Sequence, residues 1–232
     1  MNKKDYMIIL GTAHTEDIAG KHSPDNRLRE CVYSREIVDD IEAILLSYGY
    51  NVVVDYRPLK GDKTLKTNTQ SGELEYRANF VNNICKKFGN DKVIYVSIHV
   101  NAAPPNDGKW HNAGGWCAYT TVGKTKADTL AEHLYDAAEK YLVGYVQMME
   151  KGKKTGVYGQ NQKPIRMDKS DGDRDLESNF YVLKNTSCPA VLTENLFQDN
   201  EKDVEYLLSD VGRNNIIRLH VEGIINYINA IS

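Results

Sequence analysis

Cysteine is scarce in this 232-residue chain, and its spacing excludes a common kind of metal site. The cysteines lie far apart and form no Cys-x-x-Cys pair, which removes the spacing of a zinc finger. We therefore expect free and mostly buried thiols, as in a protein of a reducing compartment. The four positions are Cys31, Cys85, Cys117 and Cys188.

Long apolar runs are missing as well, and neither sign of charge dominates. No run approaches the roughly 20 apolar residues of a transmembrane helix, so we expect no membrane insertion. The formal net charge is -3 and no basic block occurs. The sequence therefore gives no electrostatic case for binding nucleic acid or an anionic membrane surface.

Several sequence motifs of common enzymes are also absent. The chain has no Gly-x-Ser-x-Gly, which excludes the usual serine-hydrolase elbow, and no His-Glu-x-x-His helix of the common zinc proteases. It has no P-loop and no Gly-x-Gly-x-x-Gly, so nucleotide cofactors are unsupported. A pair of Cys31 with a histidine stays open, because spacing alone does not exclude it.

What the sequence does contain is an alternation of strand and helix patterns. Apolar runs predict strands at residues 6–10, 51–55, 92–100, 115–119, 180–184 and 190–193. A helical period of apolar residues predicts helices at residues 29–48, 73–88, 124–141 and 211–231, with Gly49 and Gly89 as stops for the first two.

This alternation is typical of the α/β class. We expect a single domain over residues 1–232, with a mostly parallel, twisted sheet that is flanked by helices on both faces. Residues 104–114 and 150–175 are predicted to be long loops. Loops of this length in a compact domain are often functional.

Four residues scattered along the chain suggest a catalytic metal site. His14, His99 and Glu194 each follow a strand-like run, and Glu30 begins a helical pattern. Ligands of parallel sheets collect at the carboxyl ends of the strands, which favours a common location for these side chains. Two imidazoles and a carboxylate can hold zinc with one open position, while a second carboxylate can act as a base. The pattern indicates a metal-dependent hydrolase.

The neighbours of these residues form longer motifs. The segments are Gly-Thr-Ala-His at 11–14, Leu-Arg-Glu at 28–30, Tyr-Arg-Ala-Asn at 76–79, Ser-Ile-His-Val-Asn-Ala at 97–102, and Cys-Pro-Ala-Val-Leu-Thr-Glu-Asn-Leu-Phe-Gln-Asp-Asn at 188–200. With these motifs in this order, the chain resembles the zinc-dependent N-acetylmuramoyl-L-alanine amidases of the amidase-3 type, which occur among bacterial autolysins and phage endolysins. The resemblance extends from about residue 14 to the C-terminus.

The resemblance implies a set of roles. Zn²⁺ would be held by His14, Glu30 and His99, and Glu194 would take a proton from the attacking water and give one to the leaving amine. The substrate would be peptidoglycan or a muropeptide, cut between N-acetylmuramic acid and L-alanine. Two alternatives stay open: another zinc amidohydrolase, such as a peptidase or deacetylase, and a non-catalytic cell-wall-binding module of the same fold.

The first histidine departs from the glycine-rich sequence that usually surrounds it in this family. Residues 13–16 read Ala-His-Thr-Glu, and His22 follows closely as a competing metal ligand. Asn101 is expected to orient His99 from behind.

Further residues are candidates for contacting sugar or peptide. His111 and Trp110 lie in the first predicted loop, while Trp116, Tyr158 and Arg174 lie in or beside the loops. For the aromatic residues packing is the more common role. His133 and His220, on amphipathic helices, are given no role in the site.

The N-terminus bears on location. Residues 1–5 lead directly into a strand-like run without the apolar stretch and cleavage site of a signal peptide. We expect synthesis in the cytoplasm and action on the cell wall after release, as for an endolysin. If the sequence lacks its leader, the expectation is an extracellular or periplasmic autolysin.

Overall fold

The computed structural model describes residues 5–15, 18–55, 69–105 and 107–232. Six strands form one sheet in the order β2-β1-β3-β6-β4-β5, in which only β4 and β6 pair antiparallel. The strands are β1 (Met7–Thr12), β2 (Asn51–Val54), β3 (Val93–Asn101), β4 (Cys117–Thr120), β5 (Leu176–Glu177) and β6 (Ala190–Phe197). The expected mostly parallel sheet is confirmed.

Seven α-helices accompany the sheet in the described ranges. They are α1 (Glu30–Ser47), α2 (Gln70–Phe88), α3 (Lys126–Tyr141), α4 (Val143–Thr155), α5 (Tyr181–Lys184), α6 (Glu201–Leu208) and α7 (Asp210–Ile231). The predicted stops of the first two helices are confirmed, since Gly49 and Gly89 follow them with φ angles of 84° and 89°. Glycine adopts such positive φ angles without the steric cost of a Cβ.

The helices cover both faces of the sheet, as expected. Ile8 and Leu10 of β1 point into a core that is shared with α1, α3 and α7. Ile9, between them, points into a second core that is shared with α2 and α5. Side chains alternate along a strand, so a run of apolar residues serves both cores at once.

One predicted strand is wrong and one predicted loop is partly wrong. Residues 181–184 form the short helix α5, whose backbone N–H groups at Lys184 and Asn185 donate to Phe180 and Tyr181. A four-residue apolar run is too short for its period to separate strand from helix. Residues 150–155, predicted as loop, continue helix α4.

The predicted state of the cysteines is confirmed: all four thiols are free and buried. None of the helices in the described part of the chain combines the length and the apolar character that crossing a bilayer requires.

His220 connects α7 to the strand that carries Glu194. The ring is fully buried, its Nδ1 lies 2.7 Å from the Ile216 carbonyl oxygen and its Nε2 lies 2.9 Å from Thr193 Oγ1. Burial lowers the pKa of His220 from 6.5 to about 4, although the bond to the carbonyl opposes the shift. The folded protein therefore holds this imidazole neutral, with Nδ1 donating and Nε2 accepting.

We expect His220 to weaken the fold at acidic pH. The unfolded chain takes up its proton below pH 6.5 and the folded chain only near pH 4, so stability falls as pH drops through this window. The loss is about 2 kcal/mol between pH 6.5 and 5. Urea unfolding of wild type and His220→Gln at both pH values checks this, with the partly exposed His133→Gln as control. Equal pH dependence of wild type and His220→Gln would contradict the assignment.

Candidate metal centre

The sheet and α1 bring the four predicted residues to one edge. His14 lies two residues beyond β1, and Glu30 is the first residue of α1. His99 and Glu194 are direct partners in the parallel pairing of β3 and β6, so their side chains lie on the same face of the sheet. Both strands continue past these two residues. The predicted strand over residues 92–100 already contained His99, whereas the one over residues 190–193 ended too early and left Glu194 outside.

His14, Glu30 and His99 form a compact group. One ligand atom from each lies within 4.8 Å of the others. Glu30 Oε1 is 3.1 Å from His99 Nδ1, and Glu30 Oε2 is 3.7 Å from His14 Nε2. The two imidazole rings are nearly perpendicular, with centroids 5.3 Å apart. Each carboxylate oxygen thus faces one imidazole nitrogen.

This group fits a tetrahedral metal ion. Ligand atoms about 2.1 Å from such an ion lie roughly 3.4 Å from one another. The two imidazole nitrogens lie 3.1 and 3.7 Å from Glu30, each from a different carboxylate oxygen, and both distances are close to that value. Two histidines and one glutamate are also a donor set of catalytic zinc sites, which keep one position open.

Glu30 is held in the charged state that a metal ligand needs. Its side chain is 2% exposed, and Oε1 also accepts the N–H of Val100 at 3.1 Å. Burial alone would raise the pKa of Glu30, but the hydrogen bond to His99 and the nearby imidazoles outweigh it, so the pKa is lowered. Burial lowers the pKa of His99 despite the opposing effect of Glu30, which favours the neutral, metal-binding imidazole.

His14, and not His22, belongs to the group. His14 has a φ angle of 45°, an uncommon conformation for a residue with a Cβ. The preceding Ala13 N–H donates to Ser34 Oγ, and Arg77 Nη2 donates to the His14 carbonyl oxygen. These bonds fix the loop without the glycines usual in the family. His22 instead lies next to Arg29, with Nδ1 against the Ser23 carbonyl oxygen.

Glu194 is paired with His99 across the two strands and lines a cavity of about 190 Å³ together with His14 and His99. Its Oε2 is buried without a hydrogen-bond partner among the described residues. Burial, and then the negative charge of Glu30, raise the pKa of Glu194 well above its ordinary value. The carboxyl group is therefore suited to accept and hold a proton.

The cavity is lined by polar and apolar side chains. The polar ones include His14, His99 and Glu194 together with Ser97, whose Oγ is 3.1 Å from His99 Nε2. The apolar part of the lining consists of Leu74, Phe180, Tyr181, Val182 and Leu192. Lys21 adds a positive charge to the lining.

Three of the residues considered for substrate contact have structural roles instead. Trp116 is fully buried and donates from its indole to Asn195 Oδ1 at 2.9 Å. Tyr158 is buried and donates to Asp203, while Arg174 pairs with the carboxylate of Glu132. None of the three lines the cavity.

The remaining candidates also lie away from the cavity lining. His111 Nε2 is 2.9 Å from Asp107, and the Trp110 ring is covered by Arg27. Asn101, which was expected to orient His99, accepts the N–H of Ala102. The side-chain amide that donates to the His99 carbonyl oxygen is that of Asn195.

Two residues of α2 were missed as part of the site. Glu73 and Arg77 are one turn apart, a spacing that in a sequence is typical of an exposed ion pair. Both are buried and line the cavity next to His14. Arg77 belongs to the motif at residues 76–79, to which no role was given. A further signal for both residues is their charge on the apolar side of an amphipathic pattern.

Curated relatives match part of the chain. It is 31% identical over 139 residues to the endolysin of Bacillus phage SPP1, covering 59% of this chain and 40% of that protein. It is 28% identical over 159 residues to the N-acetylmuramoyl-L-alanine amidase CwlM of Bacillus licheniformis, covering 68% of this chain and 47% of that protein. The chain thus spans less than half the length of these relatives.

A solved structure and a family profile match nearly all of this chain. The crystal structure of an N-acetylmuramoyl-L-alanine amidase from Clostridium difficile 630 has the same fold, with a TM-score of 0.68, 20% identity and 98% coverage of both chains. The sequence profile of the N-acetylmuramoyl-L-alanine amidase family, Amidase_3, matches residues 8–226. The chain therefore belongs to this family of amidases.

Proposed function

We propose that this chain is a zinc-dependent amidase of peptidoglycan, which hydrolyses the amide between N-acetylmuramic acid and the L-alanine of the stem peptide. The observation that carries the proposal is the group of His14, Glu30 and His99 beside Glu194, whose buried Oε2 has no hydrogen-bond partner among the described residues. Family membership supplies the choice of substrate.

The proposed metal ligands are His14 Nε2, the Glu30 carboxylate and His99 Nδ1, the atoms that face one another. When bound, zinc polarises the scissile carbonyl and lowers the pKa of a water molecule toward about 7. The protein supplies ligands in the required charge state, since Glu30 is ionised and His99 neutral near pH 7.

Glu194 is the proposed general base. It takes a proton from the attacking water as the new C–O bond forms, and it gives a proton to the alanine nitrogen as the C–N bond breaks. The products are the lactyl carboxylic acid of the sugar and a peptide with a free amino group. The raised pKa of Glu194 supports this role, because a carboxylate with an ordinary pKa is a weaker base toward the attacking water.

The apolar part of the cavity lining is suited to the groups around the scissile bond. Leu74, Phe180 and Tyr181 offer apolar surface to the methyl groups of the lactyl and alanyl units. We propose that peptidoglycan or its fragments are the partner, and that the protein acts on the cell wall after release. The similarity to a phage endolysin supports this location.

The test is product analysis on purified peptidoglycan. The chain is stripped with a chelator, and samples with and without added zinc are incubated with the wall. Free amino termini are then labelled and identified. We expect new N-terminal L-alanine with zinc and little without it. New termini on another residue would indicate a peptidase, released acetate a deacetylase, and wall binding without products a binding module; each result would contradict the proposal.

A further inference from the structure

Two buried polar atoms, one on His14 and one on Glu73, face each other without a conventional hydrogen bond on the side of His14 away from Glu30. His14 Nδ1 and Glu73 Oε2 both have no partner within hydrogen-bond distance among the described residues, and they lie 3.7 Å apart. The Glu73 side chain is 1% exposed. A buried polar group without a partner destabilises a folded protein, so this arrangement calls for a physical reason.

Arg77 holds both residues in place. Its Nε donates to Glu73 Oε1 at 3.0 Å, and its Nη2 donates to the His14 carbonyl oxygen at 3.1 Å. Its Nη1 donates to Asp55, which also accepts the hydroxyl of Tyr95 at 2.8 Å. Since Asp55 balances the charge of Arg77, the second oxygen of Glu73 remains available to His14.

The ring of His14 lies between two carboxylates. Its Nε2 faces Glu30 in the metal group, while Nδ1 faces Glu73 on the other side. A neutral imidazole carries one N–H, and the hydrogen bond of one nitrogen decides which nitrogen is free to bind a metal. Metal-binding histidines commonly donate their other N–H to a carboxylate or carbonyl group.

We propose that Glu73 is a positioning residue, which accepts Nδ1–H of His14 and thereby presents the Nε2 lone pair to the metal. This inference rests on the proposed metal centre. His14 needs such an anchor because it lies in a loop beyond β1, whereas His99 is fixed within β3. The two atoms, 3.7 Å apart, are only slightly beyond hydrogen-bond distance.

The test compares zinc affinity, measured by competition with a chromogenic chelator, in wild type, Glu73→Ala and Glu73→Gln. We expect Glu73→Ala to weaken zinc binding 10- to 100-fold, as loss of such a partner does elsewhere. Glu73→Gln should recover part of this loss, because its amide oxygen can still accept Nδ1–H. Glu75→Ala, at an exposed position of the same helix, is the matched control and should keep wild-type affinity.

A second readout separates positioning from a structural role. Imidazole nitrogen NMR of the zinc-free protein should show His14 as the Nδ1–H form in wild type and a mixture of both forms in Glu73→Ala. If Glu73→Ala does not fold, the nearly isosteric Glu73→Gln decides, with affinity expected below wild type. Wild-type affinity and an unchanged His14 form in the folded variant would overturn the inference. Failure of the wild type to bind zinc would overturn the proposed metal centre as well.

Discussion

Replacing Glu194 with alanine is expected to leave about one zinc ion bound per chain and to abolish digestion of the cell wall. The three proposed ligands do not include Glu194, so their donor atoms remain within 4.8 Å of one another. Removing a general base typically costs 10²- to 10⁴-fold in rate, roughly 3–5 kcal/mol in the barrier. Metal content by mass spectrometry and the rate of wall digestion check the two halves of the expectation.

We expect Glu194→Ala to fold as the wild type does. Glu194 Oε2 has no hydrogen-bond partner to lose among the described residues, and burial of the carboxyl already disfavours its charged form. Truncation at this position therefore removes an unfavourable group from the cavity. Glu150→Ala, on the exposed side of α4, is the control and should digest the wall at the wild-type rate. Wild-type digestion by Glu194→Ala would contradict the assignment of the base.

The second large effect is expected for His99→Ala, which should lose the metal itself. Two remaining protein ligands rarely retain zinc tightly. The substitution also removes the hydrogen bond between His99 Nδ1 and Glu30 Oε1, which helps to keep the buried carboxylate ionised. An unpaired buried charge is costly, so we expect a lower stability together with the loss of zinc.

Zinc content after dialysis measures this effect directly. His99→Ala should retain far less than one ion per chain and release no N-terminal L-alanine. His111→Ala is the matched control, because His111 pairs with Asp107 and lies outside the cavity lining. A His99→Ala protein that keeps one tightly bound zinc would contradict the proposed ligand set.

That His14, Glu30 and His99 lie close together could be predicted from the sequence, because the prediction needs only the local strand and helix patterns and the general topology of a parallel sheet. Apolar runs before His14 and His99 identify strands, and parallel strands place their carboxyl ends at one edge. The motif Ser-Ile-His-Val-Asn-Ala at residues 97–102 then supported His99 as a member of the group. His14 could be preferred over His22 only in the structure, since the choice depends on Ser34 and Arg77, which are distant in sequence.

Other features depend on tertiary contacts that no local pattern encodes. The short helix α5 forms where a strand was predicted, because the buried pair Val182 and Leu183 packs against α2. Trp116 was a candidate for substrate contact because of its place beside a predicted loop, yet it is buried against Tyr135. Glu73 faces His14 only because α2 packs across the sheet behind the first ligand. Its charge alone predicts a solvent-exposed helix position.

His14 and His99 face Glu30 through different ring nitrogens. His14 presents Nε2 to Glu30, whereas His99 presents Nδ1 and contacts Ser97 through Nε2. The other ring nitrogen of each proposed ligand lies near a different group, the Glu73 carboxylate for His14 and the Ser97 hydroxyl for His99. A carboxylate partner raises the basicity of an imidazole ligand more than a neutral hydroxyl does.

The most direct test of the central claim is hydrolysis of a purified muropeptide in heavy-oxygen water, followed by mass spectrometry of both products. If the chain cleaves the amide between N-acetylmuramic acid and L-alanine by attack of water, the heavy oxygen enters the lactyl carboxylate of the sugar. The released peptide then carries none. Heavy oxygen in a peptide carboxylate or in released acetate would contradict the account.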